Sequence, residues 1–282
     1  MTQSILTHLL AQHWADKPDK PTARGTLLRY SGAHNCARQM GYTALGYPQT
    51  NPMDLGDAWA PGVGTTLHEA AQEVIGSIYK TAKFEVMSQL GKYLSGATDA
   101  LVDTQEIRET TGEDLGGTHV LWEFKSMGEW AFDQQVGYNR KSLKVFGGKG
   151  PKTSAITQAG INALGIERED ETAYTRIETL LMGSCCVTAL SVNKAKGMNL
   201  EGFDRFGAEF RIPRDEWEPL ALTELGRMEL IGQTIESGLI PDRTAWDEGE
   251  LYLNPRGKDW QCDYCAFRDL CVSQGEGEIK HG

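Results

Sequence analysis

The sequence predicts an α/β fold (α+β) in which a mixed central sheet is flanked by helices. Strand-like segments with alternating polarity cluster in the first half of the chain, and helix-like segments with apolar residues three or four apart lie on both sides of them. The chain has 282 residues, of which 40% are hydrophobic, so it can bury a sizeable core. No apolar run approaches the roughly 18 residues that span a bilayer, and the N-terminus lacks signal-peptide features. We therefore expect a cytoplasmic protein with no membrane segment.

The elements are expected to form one integrated domain in three parts. The first part is predicted to contain a helix at 4–14, a short helix around Cys36 and an irregular stretch at 47–64. A helix capped by Thr65 or Thr66 follows and ends between Tyr79 and Lys83, and strands are predicted at 84–88, 92–103 and 118–125. The remaining elements are a helix at 154–164 capped by Ser154 and ended by Gly165, a strand at 184–193 and a helix at 214–238. Residues 1–63 would be an N-terminal helical region, 64–212 the core, and 213–282 a C-terminal helix with a cysteine-rich tail.

The charge distribution is uneven. The net charge is −11, from 39 acidic and 28 basic residues, which taken alone argues against a polyanionic partner. One stretch at 139–152 nevertheless contains only basic charges, at Arg140, Lys141, Lys144, Lys149 and Lys152. This segment is a candidate contact for phosphate groups, and the alternative is a solvated loop.

The spacing of the cysteines is the most specific local pattern. Without a secretory signal we expect no disulfides among the six cysteines. Cys262, Cys265 and Cys271 form a C-x2-C-x5-C motif that brings three thiolates together, and Cys36 is the candidate for a fourth. Four thiolates fit either an iron–sulfur cluster or a structural zinc ion. The adjacent Cys185 and Cys186 would point to opposite faces of a strand, so we interpret them as structural.

Two acidic residues and a lysine form a candidate catalytic site. Glu123 and Lys125 are two apart in a predicted strand, so their side chains leave on the same face. Asp99 belongs to a neighbouring predicted strand, and the two carboxylates can converge on one Mg²⁺ or Mn²⁺ ion. Lys125 beside them would stabilise a scissile phosphate or orient the attacking water. A structural ion pair is the alternative for the isolated E-x-K pattern.

The ordered set of motifs resembles the RecB-like branch of the PD-(D/E)XK nucleases. The resemblance is to the members with a four-iron (4Fe–4S) cluster, which include the CRISPR-associated adaptation exonuclease, the AddB nuclease domain and phage-encoded relatives. It extends from about residue 29 to residue 271. The motifs are, in order, Cys36-Ala-Arg38, Gly64-x-x-x-His68, Gly96-x-x-Asp99, Glu123-x-Lys125, a helix with a glutamine, and C-x2-C-x5-C.

The resemblance implies a role for each matching residue. Asp99, Glu123, His68 and the Phe124 carbonyl would bind Mg²⁺ or Mn²⁺. Lys125 and Gln158 would complete the catalytic group, with Gln158 contacting DNA or Lys125. Cys36, Cys262, Cys265 and Cys271 would hold the 4Fe–4S cluster, which would join the N- and C-terminal regions.

One motif departs from the family pattern. The family has Q-x-x-x-Y on the helix after the E-x-K strand, whereas Gln158 is followed at that spacing by Asn162. Gln134 and Tyr138 match the letters, but they come only nine residues after Lys125. We prefer Gln158, because its predicted helix precedes the next strand as the family fold requires.

The expected activity is metal-dependent exonucleolytic hydrolysis of DNA, with a preference for single-stranded ends. A helicase, a recombinase or a CRISPR-adaptation protein would be a partner of such an enzyme. The alternative is a catalytically inactive DNA-binding or assembly subunit that keeps the nuclease fold and the cluster.

Overall fold

The structure is a computed structural model that describes residues 26–52, 55–139, 144–170, 174–186, 207–243 and 260–274. The predicted helix at 4–14, Arg140, Lys141 and the predicted strand beyond residue 186 lie outside these ranges. Within them, no helix combines the length and the apolar character needed to cross a membrane.

A mixed sheet forms the centre of the described chain, as predicted. Its strands are β1 (Leu28–Arg29), β2 (Lys83–Leu90), β3 (Leu94–Asp103), β4 (His119–Met127), β7 (Ile177–Cys186) and β8 (Gly207–Pro213), and a separate small sheet contains β5 (Tyr138–Asn139) and β6 (Lys144–Val145). The order is β1-β3-β4-β7-β8, with β2 paired to β3. The β1–β3 and β4–β7 pairs are parallel, and the remaining pairs are antiparallel.

Helices cover both faces of this sheet. They are α1 (Ala37–Ala44), α2 (Leu55–Ile78), α3 (Thr104–Thr111), α4 (Glu129–Val136), α5 (Thr153–Glu169), α6 (Arg214–Glu236), α7 (Trp260–Asp263) and α8 (Arg268–Ser273). Ile75 of helix α2 and Tyr79, the residue directly after it, belong to an apolar cluster with Val120 of β4 on one face. Helices α5 and α6 pack on the opposite face, where Ile161 and Trp217 belong to the main core.

Helix α2 is longer at its N-terminus than predicted. It begins at Leu55 and therefore crosses the 63/64 boundary between two of the expected parts. Thr65 and Thr66 do not cap it, because their hydroxyl groups donate to the carbonyls of Pro61 and Gly62 one turn earlier within the helix. The glycines and Pro61 suggested an irregular segment, but the helix continues through Pro61, which lies inside it and cannot donate a backbone hydrogen bond.

Two other element boundaries also differ from the prediction. Helix α5 is capped by Lys152 and continues to Glu169. Gly165 lies inside this helix. A Cβ added at Gly165 would be only 2.3 Å from the Ser88 hydroxyl and 2.8 Å from the Tyr30 hydroxyl, so the position has no room for a side chain. Close packing against the sheet, and not helix termination, accounts for this glycine. Strand β7 ends at Cys186 and begins seven residues earlier than predicted, at Ile177.

One edge of β3 is divided between two partner strands. Its first residues, Leu94 and Ser95, pair with β1, and its last four residues pair with β4. In the described chain, residues 96–99 between these ladders have no strand partner on that edge. The Tyr30 ring packs over Gly96, so that a Cβ at Gly96 would lie 2.3 Å from the ring carbon Cδ2.

We predict that Gly96→Ala destabilises the protein, because the added methyl group overlaps the buried Tyr30 ring. The expected loss is about 1–3 kcal/mol, the usual cost of overpacking a core. Chemical denaturation of the parent, this variant and a control variant measures the loss. Gly128→Ala is the matched control, since an added Cβ there meets nothing within 4 Å and φ is −68°. Equal stability of the two variants would contradict the packing role of Gly96.

Candidate functional site

Strands β3 and β4 diverge at the position of Asp99. Their ladder ends at the pair Ala100 and Trp122, after which β3 continues beside β2 and β4 continues beside β7. Asp99 bridges the gap, because its Oδ2 accepts the backbone N–H of Phe124 at 2.7 Å. The predicted juxtaposition of these neighbouring strands is therefore confirmed, and the carboxylate stands where a backbone partner would otherwise be.

Glu123, Lys125 and Gln158 form a closed hydrogen-bonded triangle. Lys125 Nζ lies 2.7 Å from Glu123 Oε1 and 3.2 Å from Gln158 Oε1. Gln158 Nε2 donates to the same Glu123 oxygen at 2.9 Å. Glu123 is only 1% exposed, and its second oxygen, Oε2, is buried with no hydrogen-bond partner. Burying a carboxylate in this way is costly, which marks the site as specialised.

The surrounding charges set the protonation of this group. The pKa of Glu123 is raised to about 6 in total, mainly by burial; the positive charge of Lys125 opposes this rise, and the negative charge of Asp99 adds to it. Burial by itself would lower the pKa of Lys125, but the charge of Glu123 and the hydrogen bond to it prevail and raise it. Lys125 is therefore held as a cation beside a carboxylate that protonates easily.

Helix α2 brings a histidine and a glutamine to Asp99. His68 Nδ1 lies 3.7 Å from Asp99 Oδ1, and its ring meets the edge of the Phe124 ring with 6.0 Å between centroids. Gln72, one turn after His68, donates from Nε2 to the Asp99 carbonyl at 3.0 Å. The sequence reasoning missed Gln72, although its four-residue spacing from His68 placed it on the same helix face.

The donor set suits a hard divalent cation in its chemistry. Asp99 Oδ1 faces His68, and the buried Glu123 Oε2 makes no hydrogen bond. As arranged, however, no group of three or more His, Cys, Asp or Glu side chains in the described ranges could hold a metal ion. Glu123 Oε1 is instead engaged by Lys125 and Gln158. A cation would have to draw these carboxylates together.

The structure brings Gln158 to Lys125, which is one of the two contacts expected for it. Gln134 does not share a helix with Tyr138, because α4 ends at Val136 and Gly137 follows in a left-handed conformation. Asn162 is 1% exposed and lies one turn after Gln158, and neither of its side-chain polar atoms has a hydrogen-bond partner. The position where the family has tyrosine is thus part of the interior here.

Two of the candidate cluster cysteines act on a third, Cys265. Burial raises the pKa of the Cys265 thiol, and the neighbouring Cys36 and Cys271 thiols raise it further. The Phe267 N–H donates to Cys265 Sγ at 3.4 Å and acts in the opposite direction. Cys262 lies at the preceding turn, where its carbonyl accepts the Cys265 N–H at 3.2 Å. The strand cysteines Cys185 and Cys186 both belong to β7, as expected of structural residues.

Hydrogen bonds tie the cysteine-rich tail to the N-terminal segment. The backbone N–H groups of Thr50 and Asn51 both donate to the Ala266 carbonyl at 2.9 Å. Asn51 and Asp269 bond each other twice, since Asn51 Nδ2 donates to Asp269 Oδ2 and Asn51 Oδ1 accepts the Asp269 N–H. Tyr42 donates its hydroxyl to Gln274 Oε1 at 2.6 Å. These contacts join the two ends of the described chain around the candidate cysteine site.

Part of the basic segment is described and exposed. Lys149 and Lys152 are both exposed, and Lys152 caps α5, the helix that contains Gln158. Lys144 lies in β6, and Arg140 and Lys141 fall outside the described residues. The described part of the segment therefore lies directly before the helix that completes the Glu123 triangle.

No protein-family model matches this chain, and no curated protein matches it either.

We predict that Glu123 titrates near pH 6 in the metal-free protein, which carboxyl-carbon NMR can measure. Asp99→Asn should lower this pKa by removing a negative charge, and Lys125→Met should raise it by removing a positive one. The pKa of Glu123 in the folded protein lies above its ordinary value of 4.5, so ionisation of Glu123 opposes folding. The contribution of Glu123 to the free energy of unfolding therefore falls as the pH rises from 4.5 to about 6.

The control for this titration is Glu178→Gln, which removes a partly exposed carboxylate from β7. It should leave the Glu123 midpoint unchanged. Shifts of the same sign in the Asp99 and Lys125 variants would contradict the electrostatic account of the site.

Proposed function

We propose that this protein is a metal-dependent deoxyribonuclease, an exonuclease of the RecB-like PD-(D/E)XK type that prefers single-stranded DNA ends. The observation that carries the proposal is the meeting of Asp99, Glu123 and Lys125 at the point where β3 and β4 diverge, with Gln158 closing the group. A buried glutamate paired with a half-buried lysine at an opening in a sheet is expensive as a structural device. It is well suited to binding a phosphodiester and a cation.

Each residue of the candidate site would have a separate role. Asp99 and Glu123, with His68 and the Phe124 carbonyl, would hold Mg²⁺ or Mn²⁺, which supplies an activated water and stabilises negative charge when bound. Lys125 would place its ammonium group against the developing charge on the phosphate. Gln158 holds Lys125 Nζ and Glu123 together, so it would keep the lysine aimed at the site.

The exposed basic segment supports a nucleic-acid substrate. Lys149 and Lys152 would contact phosphates, as would Lys144, Arg140 and Lys141 of the same segment. Phe146 is 55% exposed and Trp130 of α4 is 72% exposed, and exposed aromatic rings can stack on unpaired bases. These features favour DNA with unpaired ends, and a helicase, recombinase or CRISPR-adaptation protein would supply such ends.

The proposed cofactor of the tail is a 4Fe–4S cluster on Cys36, Cys262, Cys265 and Cys271, with a structural zinc ion as the alternative. We predict that protein purified without oxygen is brown, contains about four irons per chain, and loses its colour when Cys271 is replaced by serine. Visible absorbance and iron and zinc analysis measure this. Cys186→Ser, in β7, is the control and should keep the colour. A colourless zinc-loaded protein would overturn the cluster.

We predict that Lys125→Ala lowers Mn²⁺-dependent degradation of end-labelled single-stranded DNA at least about 100-fold, because it removes the charge that stabilises the transition state. Circular dichroism and the visible spectrum should stay unchanged. Lys83→Ala, at an exposed position in β2, is the matched control and should retain activity. Undiminished cleavage by the Lys125 variant would refute the site.

The same assay tests the second candidate, a catalytically inactive DNA-binding or assembly subunit. The internal engagement of Lys125 by Glu123 is the observation that favours it. A chain that binds single-stranded DNA but does not cleave it with either Mg²⁺ or Mn²⁺ would establish this alternative. Substrates labelled at the 5′ or the 3′ end would also reveal the polarity of an active enzyme.

A further inference from the structure

An ion pair on α6, between a buried glutamate and a partly exposed arginine, contacts the two residues that precede Cys36. Glu224 is 4% exposed, and its carboxylate accepts two hydrogen bonds from Arg227, at 2.8 Å from Nε and at 2.6 Å from Nη2. Glu224 Oε1 also accepts the backbone N–H of His34 at 2.7 Å. Arg227 Nη2 donates to the Asn35 carbonyl at 3.2 Å. The pair therefore holds a stretch of backbone that is about 190 residues away in the sequence.

The segment that it holds has an unusual backbone conformation. His34 has a φ of 64°, which lies in the left-handed region that residues other than glycine seldom adopt. Such a conformation persists only where its surroundings enforce it. Here Glu224 binds the N–H of His34, and His34 Nδ1 lies 4.0 Å from Glu224 Oε2. Cys36 follows two residues later as the N-cap of α1, so the turn determines where its side chain begins.

The same turn is also connected to the tail. Gln261 Nε2 donates to the His34 carbonyl at 3.3 Å, and Gln261 immediately precedes Cys262. The peptide groups on either side of His34 are thus bound from two directions, by α6 at the N–H and by the tail at the carbonyl. This arrangement places one strained turn between Cys36 and the C-x2-C-x5-C motif.

We propose that the Glu224–Arg227 pair is a positioning device that orients Cys36 toward Cys262, Cys265 and Cys271. The inference rests on the proposed thiolate-bound group, and it assigns a role to residues outside the four-cysteine motif. Burying the Glu224 carboxylate costs desolvation energy, which specific hydrogen bonds must offset. Here those bonds are directed at the backbone that carries Cys36.

The test measures the distance between thiols in the reduced, metal-free, full-length chain. A short reagent that alkylates two thiols should join Cys36 to Cys265, and peptide mass spectrometry should detect the linked pair. In Glu224→Ala we expect about tenfold less of this product, the order expected for losing a buried charge-assisted hydrogen bond. Glu224→Gln keeps an acceptor for the His34 N–H and should stay within about threefold of the parent. Glu216→Ala, an exposed acid on the same helix, is the matched control.

A second variant separates positioning from general loosening of the fold. Met228→Ala removes a fully buried α6 side chain close to Gly32 and should destabilise the protein without a selective effect on Cys36. The rate at which Cys186 is alkylated reports global opening. The proposal is overturned if Glu224→Ala leaves the yield of the cross-link unchanged. It is also overturned if that yield falls only in proportion to the increase in the rate of Cys186 alkylation.

Iron and zinc content per chain, measured on the same samples, tests the consequence for the cofactor. We expect Glu224→Ala to retain less than about a tenth of the parent's metal and Glu224→Gln to retain most of it. A parent chain that binds neither metal would overturn the proposed cofactor, and the cross-link would still decide whether Glu224 positions Cys36. DNA cleavage by the parent is scored separately, so that failure of the nuclease proposal is distinguishable.

Discussion

The arrangement of the candidate site depends on the way one strand edge is shared. Strand β3 pairs with β1 at its start and with β4 at its end, and the residues between have no strand partner on that edge in the described chain. Tyr30 fills the space over Gly96, and the Asp99 carboxylate takes the Phe124 N–H. A continuous ladder would have used these backbone groups and closed the gap in which the two carboxylates and the lysine meet.

The energetic cost of the site is concentrated on Glu123. Its carboxylate is buried on the core side of the sheet, one oxygen is shared between Lys125 and Gln158, and the other makes no hydrogen bond. The rest of the core offsets this cost, since α5 and α6 bury a continuous apolar layer against the same sheet. A stable scaffold that tolerates a poorly satisfied group is typical of a functional site.

The contacts between the two ends of the chain show how the fold is closed. Residues 34–51 and 261–274 are joined by backbone bonds at Ala266, by the Asn51–Asp269 exchange and by Tyr42 with Gln274. The Glu224–Arg227 pair adds α6 to this junction. The polar connections already bring the cysteine-bearing segments together, so a bound cluster or ion would reinforce contacts that the protein makes by itself.

Much of the fold could be predicted from local patterns. Alternating polarity located β3 and β4, and the two-residue spacing of Glu123 and Lys125 correctly indicated that both side chains leave on one face. The ends of helices were less predictable where a glycine suggested that the helix stops. Gly165 lies inside α5 because the helix must approach Ser88 closely, and this requirement depends on residues distant in sequence.

The sequence by itself determined which residues are candidates for the chemistry, since the order and spacing of the acidic, basic and cysteine motifs are local properties. Only the tertiary structure decided how they meet. Long-range packing decides that β3 and β4 diverge and that Gln158 meets Lys125. It also brings Gln72 to the Asp99 carbonyl and Glu224 to the His34 N–H. Such contacts arise from the geometry of sheet pairing and helix docking, which no short stretch of sequence encodes.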